Sequence, residues 1–204
     1  MLNDFLALPY TEAICDKNFA EWHQGIPYYG FWAIIVDHPE HLVLINRAQD
    51  HLKEFFLSRY LRQPHITLSA CGLLSERHFS QTRLNQQVKL IESMNLPPFD
   101  ISIGHIDSFT TAAYLSISDA DDSLHTINKA LVGIASDSSP LNYCPHITLG
   151  LYRNKFETSI VAEEIIKFEG SPSLSFRVNE IQFCRYDTSM IQGPIEVVKR
   201  IRLK

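Results

Sequence analysis

The pentapeptide Pro-His-Ile-Thr-Leu occurs twice in this 204-residue chain, at Pro64–Leu68 and at Pro145–Leu149. At ordinary residue frequencies, such an internal identity arises by chance in about one or two chains per hundred. Ile, Thr and Leu favour strands, and strand side chains alternate between faces. His65 and Thr67 therefore share one face and Ile66 and Leu68 the other; His146 and Thr148 repeat this against Ile147 and Leu149. Proline suits the head of each motif, because the first residue of a strand needs no ladder donor. Two such strands set side by side bring two imidazoles and two hydroxyls to one cavity. Histidine titrates nearest neutral pH, so one ring can take a proton from a nucleophile while the other gives one to a leaving oxygen. Hydroxyls and nearby backbone N–H groups can hold a non-bridging phosphate oxygen. In-line displacement at phosphorus needs these parts and no metal. A lone His-x-Thr is usually an inert strand histidine; two copies in matched surroundings argue against that.

The surroundings do match. Phe31–Val36 reads as a strand broken by Asp37 and Pro39, residues 40–60 as an amphipathic helix, and 64–71 as the first motif strand. Ala113–Ser118, closed by Asp119, reads as a strand, 121–135 as a helix, and 145–152 as the second motif strand. Asp37 precedes His65 by 28 residues and Asp119 precedes His146 by 27. Helices are expected at 11–24, capped by Thr11, at 75–95, capped by Ser75 and stopped by Pro97 and Pro98, and at 156–168. Further strands are expected at 99–106, 109–118, 174–186 and 195–203. The repeat implies an α+β fold with a pseudo-two-fold axis and a groove on that axis. The chain divides into an N-terminal extension (1–29), a lobe carrying the first motif (30–110) and a lobe carrying the second (111–204).

Composition narrows the class. The formal net charge is −5, so no broad basic face for gripping long nucleic acid is expected, although Arg153, Lys155, Arg177, Arg185, Lys199, Arg200, Arg202 and Lys204 gather late and allow a local phosphate patch. No apolar run reaches the roughly 18 residues that span a membrane, and Asp4 interrupts a weakly apolar start. The expectation is a monomeric cytoplasmic protein with no signal peptide and reduced thiols at Cys15, Cys71, Cys144 and Cys184. These cysteines form no Cys-x-x-Cys pair, and Cys144 reads as a small buried apolar residue near the second motif.

The duplicated His-x-Thr motif, each copy preceded by a strand and a helix, resembles the 2H phosphoesterase superfamily over residues 30–190. That superfamily includes 2′-5′ RNA ligase-like proteins and RNA 2′,3′-cyclic phosphodiesterases. The resemblance implies a bilobal α+β fold of two antiparallel sheets around a central groove, with helices on the outer faces. It makes His65 and His146 the acid/base pair and Thr67 and Thr148 phosphate ligands. It implies no metal and no organic cofactor, and a nucleotide or RNA-end phosphate as substrate. Many members keep a basic residue just after the second motif, for which Arg153 is the candidate. Counting back equally from Asp37 and Asp119 makes Trp32 and Tyr114 equivalent, and both are candidates to wall the groove. Tyr29, in the aromatic cluster that ends the extension, and Tyr152, which shares parity with His146, are further candidates for substrate contact; Gly150 would leave room for substrate. The other histidines, His41 among them, are expected at the surface. Two other readings compete: a nucleotide-binding module of the same fold without turnover, and a metal hydrolase using His65 and His146 as ligands. The second lacks a His-x-His, a His-Glu-x-x-His or a neighbouring acidic ligand.

Overall fold

The computed structural model describes residues 2–14, 19–58, 60–134, 143–170 and 174–204. Within them the chain runs α1 (Asn3–Leu6), α2 (Phe19–His23), β1 (Tyr28–Ile35), α3 (Pro39–Leu52), a 3-10 turn (Lys53–Phe55), β2 (His65–Leu73), α4 (Gln81–Met94), β3 (Phe99–Ser108), β4 (Ala112–Asp119), α5 (Ser123–Val132), β5 (His146–Leu151), α6 (Thr158–Lys167), β6 (Leu174–Val178), β7 (Glu180–Asp187) and β8 (Glu196–Arg202). The strands form an antiparallel sheet in the order β6-β3-β4-β5-β2-β1-β7-β8. β6 and β7 lie toward opposite ends of that order, yet only Asn179 separates them in the chain. The sheet must therefore curl until its ends approach each other, giving a half-barrel.

The internal repeat is visible as β1-α3-β2 against β4-α5-β5, with β2 and β5 adjacent at the centre of the sheet. The next strand of each unit crosses over: β3 pairs with β4, and β7 pairs with β1. The half-sheet around the first motif is thus β2-β1-β7-β8 and the other β5-β4-β3-β6, so each draws strands from both sides of residue 110.

The two faces of the sheet carry different apolar clusters. On the helix side, Trp32, Ile34, Ile66, Leu68, Ile147 and Leu149 pack with Leu44 and Ile45 of α3, Leu84 and Ile91 of α4, Leu124 and Ile127 of α5, and Val161 and Ile165 of α6. On the opposite side, Phe31, Ala33, Cys184 and Ile195 pack with Tyr29, Ile35, Tyr186 and Val197. Alternation along β1 sends Trp32 and Ile34 one way and Phe31 and Ala33 the other.

Three local expectations differ. Residues 10–14 run extended: Tyr10 bridges Glu157, Thr11 N–H donates to Phe156 O, and Ile14 N–H donates to Tyr152 O. Thr11 is thus no helix cap; its hydroxyl donates to Asn154 O and accepts from Phe156 N–H. Among the described residues of the expected 11–24 helix, only Phe19–His23 are helical; residues 15–18, Cys15 among them, lie outside the described residues. The helix expected from residue 75 starts at Gln81, because the Ser80 hydroxyl accepts from Arg83 N–H, whereas Ser75 bonds His78. His41, expected at the surface, is 4% exposed; it heads the inward stripe His41, Leu44, Ile45, Ala48 and Leu52 of α3.

Candidate active site

β2 and β5 pair at Ile66 and Ile147. In an antiparallel register this sets His65 across from Thr148 and Thr67 across from His146, with Cβ atoms of opposed residues about 5 Å apart and diagonal neighbours about 7–8 Å apart. All four polar residues lie on the face opposite Ile66, Leu68, Ile147 and Leu149, which are at most 1% exposed. The strands part on either side of this point, and side chains satisfy the carbonyls beside the seam. Tyr143 O–H donates to Thr67 O at 3.0 Å, Asn128 Nδ2 to Leu68 O at 2.7 Å, and Gln49 Nε2 to Leu149 O at 2.9 Å.

The two imidazoles are anchored identically. Nδ1 of His65 lies 2.8 Å from Gln63 O, and Nδ1 of His146 lies 2.7 Å from Cys144 O. A carbonyl only accepts, so each ring carries its proton on Nδ1 and keeps Nε2 as a free lone pair. Aromatic rings flank both. Phe31 lies 5.4 Å from the His65 ring, and Phe109 and Tyr114 lie 5.0 and 5.2 Å from that of His146. Burial lowers the pKa of His65 to about 4; the Gln63 hydrogen bond opposes this, and the charges of Arg62 and His146 add to it. Burial also lowers that of His146, against the Cys144 hydrogen bond. Both rings are therefore biased toward neutrality. That His146 bears on His65 puts the two titrating groups in one electrostatic neighbourhood.

Tyr60 and Arg62, just before β2, also bear on this face. Leu57 N–H donates to Leu151 O, the Tyr60 hydroxyl lies near the Thr148 side chain, and Arg62 stacks over Tyr186 with its guanidinium carbon 4.1 Å from the ring centroid. Sequence reasoning missed Tyr60, Arg62, Phe109 and Tyr186. The one available signal was the position of Tyr60 and Arg62 just before the first motif.

Of the expected substrate contacts, the structure brings Tyr114 and Tyr29 to this face. Tyr114 stacks on Phe109 at 4.3 Å beside His146, with the Cys144 thiol 3.9 Å from its hydroxyl; Cys144 is half-buried. Tyr29 stacks on Tyr186, two residues along β1 from Phe31. Trp32 is elsewhere. It is 0% exposed on the helix side, and its Nε1–H donates to Gln87 Oε1 at 2.8 Å. The register explains the error: Ala33 pairs with Thr67, whereas Tyr114 pairs with Thr148, so Ala33 is the true counterpart of Tyr114. A count that slips by one residue turns the side chain to the other face. Tyr152 is also fully buried, with its hydroxyl 2.6 Å from Ser108 Oγ. Gly150 leaves room for Phe56 rather than substrate, since a Cβ there would sit 2.5 Å from ring atoms. Arg153 is exposed beyond Tyr152, with its backbone N–H bonded to Phe55 O. Among the described residues, no three His, Cys, Asp or Glu side chains gather as a metal-ligand set, and no helix is long and apolar enough to cross a membrane.

A curled antiparallel sheet that sets two His-x-Thr strands side by side is the arrangement of the two-histidine phosphoesterases. Residues 37–189 match the family described as the 2′-5′ RNA ligase superfamily, and the chain belongs to it. Solved structures share the fold. One described as a phosphoesterase has a TM-score of 0.56 at 17% identity, covering 87% of this chain and 98% of that one. Escherichia coli LigT with 3′-AMP has a TM-score of 0.54 at 19% identity, covering 87% and 98%. TT0787 of Thermus thermophilus has 0.56 at 13%, covering 86% and 97%. No curated protein sequence matches the chain. Family and fold together support phosphodiesterase activity in general.

Proposed function

We propose that this protein is a metal-independent phosphodiesterase that opens 2′,3′-cyclic phosphates or 2′-5′ linkages on nucleotides or RNA ends. The observation that carries the reading is the matched pair of imidazoles, each fixed through Nδ1 to the carbonyl two residues before it, on neighbouring strands. With the phosphate between them, one Nε2 takes the proton of the attacking water or ribose hydroxyl. The other ring, protonated, gives its proton to the departing ribose oxygen. Reversal of the reaction exchanges these roles. Thr67 and Thr148 hold non-bridging oxygens, and Tyr114 and Tyr29 offer aromatic surface to a base. An anion between the rings raises both histidine pKa values, which supplies the protonated partner. LigT, which shares the fold, has been crystallised with 3′-AMP, ATP, NADP+ and phosphate, which supports a nucleotide phosphate as ligand.

The test is a turnover screen in EDTA across 2′,3′-cyclic nucleotides, short RNAs ending in a cyclic phosphate, and 2′-5′ dinucleotides, with the position of the product phosphate determined. Hydrolysis of at least one class at undiminished rate in EDTA is expected. No turnover anywhere in the panel, or activity only with added metal, contradicts the reading.

A further inference from the structure

Among the described cations that make no ion pair, Arg62 is half-buried, whereas the others, such as Arg47, Arg83, Arg153 and Lys199, are exposed. Arg177 is paired with Asp100, Arg185 with Glu196, Arg200 with Glu180, and Lys167 with Glu164. Arg62 is half-buried and, among the described residues, makes no ion pair with a carboxylate. Its guanidinium is nonetheless fixed on several sides. Nε donates to Gly193 O and one Nη2 hydrogen to Ile191 O, while the plane rests on Tyr186. Tyr186 stacks on Tyr29 at 5.3 Å, and Tyr29 packs against Trp22 of α2 at 5.4 Å. The backbone beneath is held as firmly: Leu61 N–H donates to Gln192 O, and the Gln63 amide exchanges hydrogen bonds with both backbone groups of Ile195. Three guanidinium N–H groups remain uncommitted among the described contacts. The residue lies three positions before His65, and Tyr60, two positions earlier, reaches Thr148 across the seam. The Tyr186 ring beneath Arg62 lies 5.9 Å from Phe31, which lies 5.4 Å from the His65 ring, and a fixed, partly desolvated cation without a counter-charge near a histidine is a site for an anion.

We propose that Arg62 is the phosphate anchor of the groove, its free N–H groups binding a non-bridging oxygen of the phosphate held between His65 and His146. This rests on the phosphodiesterase reading and assigns to Arg62 the task that sequence reasoning gave to Arg153. The ring column from Trp22 through Tyr29 and Tyr186 makes the N-terminal segment a positioning element for that guanidinium. Arg62 touches the reacting group, whereas Tyr186 acts through Arg62.

The charges that bear on His65 are those of Arg62 and His146. The test is therefore an NMR titration of the His65 ring, together with the affinity for inorganic phosphate, in wild type, Arg62→Gln and Arg62→Lys. Arg62→Gln is expected to weaken phosphate binding about tenfold or more, the usual scale of a lost charge-assisted hydrogen bond, and to move the His65 midpoint upward. Arg62→Lys is expected to return the midpoint and recover part of the affinity. In wild type, the Arg62 Nε–H resonance shifts when phosphate is added, a readout that needs no variant to fold. Phosphate bound by Arg62→Gln as tightly as by wild type, or an Arg62 resonance indifferent to phosphate, overturns the proposal. Since none of these readouts depends on turnover, loss of phosphate binding in a protein that hydrolyses no diester leaves the anchor standing and removes only the proposed reaction.

Discussion

Ile66 and Ile147 are the pair at which the two halves of the sheet meet, and this one contact sets the spacing of the catalytic candidates on either side. Beyond it the motif strands do not complete each other's ladders. Carbonyls beside the seam depend on Asn128, Tyr143 and Gln49. Asn128→Ala leaves Leu68 O without its donor and is expected to cost about 1–3 kcal/mol of stability. It is also expected to lower kcat, because the strand carrying His65 and Thr67 loses a restraint. Thermal unfolding and steady-state kinetics on the same preparation check both. An unchanged melting temperature contradicts this account of the seam.

The pH dependence of stability follows from the depressed pKa of His65. Its folded value is about 4, against 6.5 when unperturbed. Between those values the unfolded chain binds the proton and the folded chain does not, so stability falls as pH drops from about 6.5 toward 4. Above 6.5 the contribution is fully present, and below about 4 no more is lost. A gap of that size corresponds to about 3 kcal/mol. His65→Ala should remove this part of the acid sensitivity, seen as a flatter plot of denaturant midpoint against pH across that window.

The same depression gives binding a sign. A sulfate anion between the rings, which has no proton of its own to give in this range, favours their protonated forms, so its binding takes up protons and strengthens as pH falls below neutrality. Calorimetry in two buffers of different ionisation enthalpy measures the uptake. Proton release, or none, contradicts the placement of the anion.

Trp32 and Tyr114 separate a core role from a groove role. Trp32→Phe loses the bond to Gln87 Oε1 in a fully buried site and is expected to cost about 1–3 kcal/mol of stability with KM unchanged. Tyr114→Ala removes a ring beside His146 and is expected to raise KM or lower kcat. A KM effect confined to Trp32→Phe contradicts the assigned faces.

Gly150→Ala tests the close packing of Phe56 on β5. The added methyl meets the Phe56 ring at 2.5 Å, so about 1–3 kcal/mol of destabilisation is expected. Phe56→Leu in the same chain should relieve part of it. Additive losses in the double variant contradict the contact.

Much of this was legible from residues alone because the repeat carries it. The motif parity, the two strand-helix-strand units and the helix-side core all follow from period-two and helical patterns. What escaped had long-range causes. Trp32 was misassigned because β1 and β4 differ by one residue in their distance to the aspartate used for counting, and only the ladder register reveals that. Residues 10–14 take their hydrogen bonds from partners about 100 to 145 positions away, which outweighs local helix preference. The crossing of β3 and β7 between half-sheets leaves no local mark. Arg62 carries no motif; its place depends on carbonyls of Ile191 and Gly193 that only the fold brings near.

The most direct measurement is hydrolysis of a 2′,3′-cyclic phosphate in EDTA by wild type, His65→Ala and His146→Ala, with folding of each checked by circular dichroism. Removal of a positioned acid or base is expected to lower kcat about 10²- to 10⁴-fold in each variant. A folded variant of either kind that keeps the wild-type rate contradicts two-histidine catalysis.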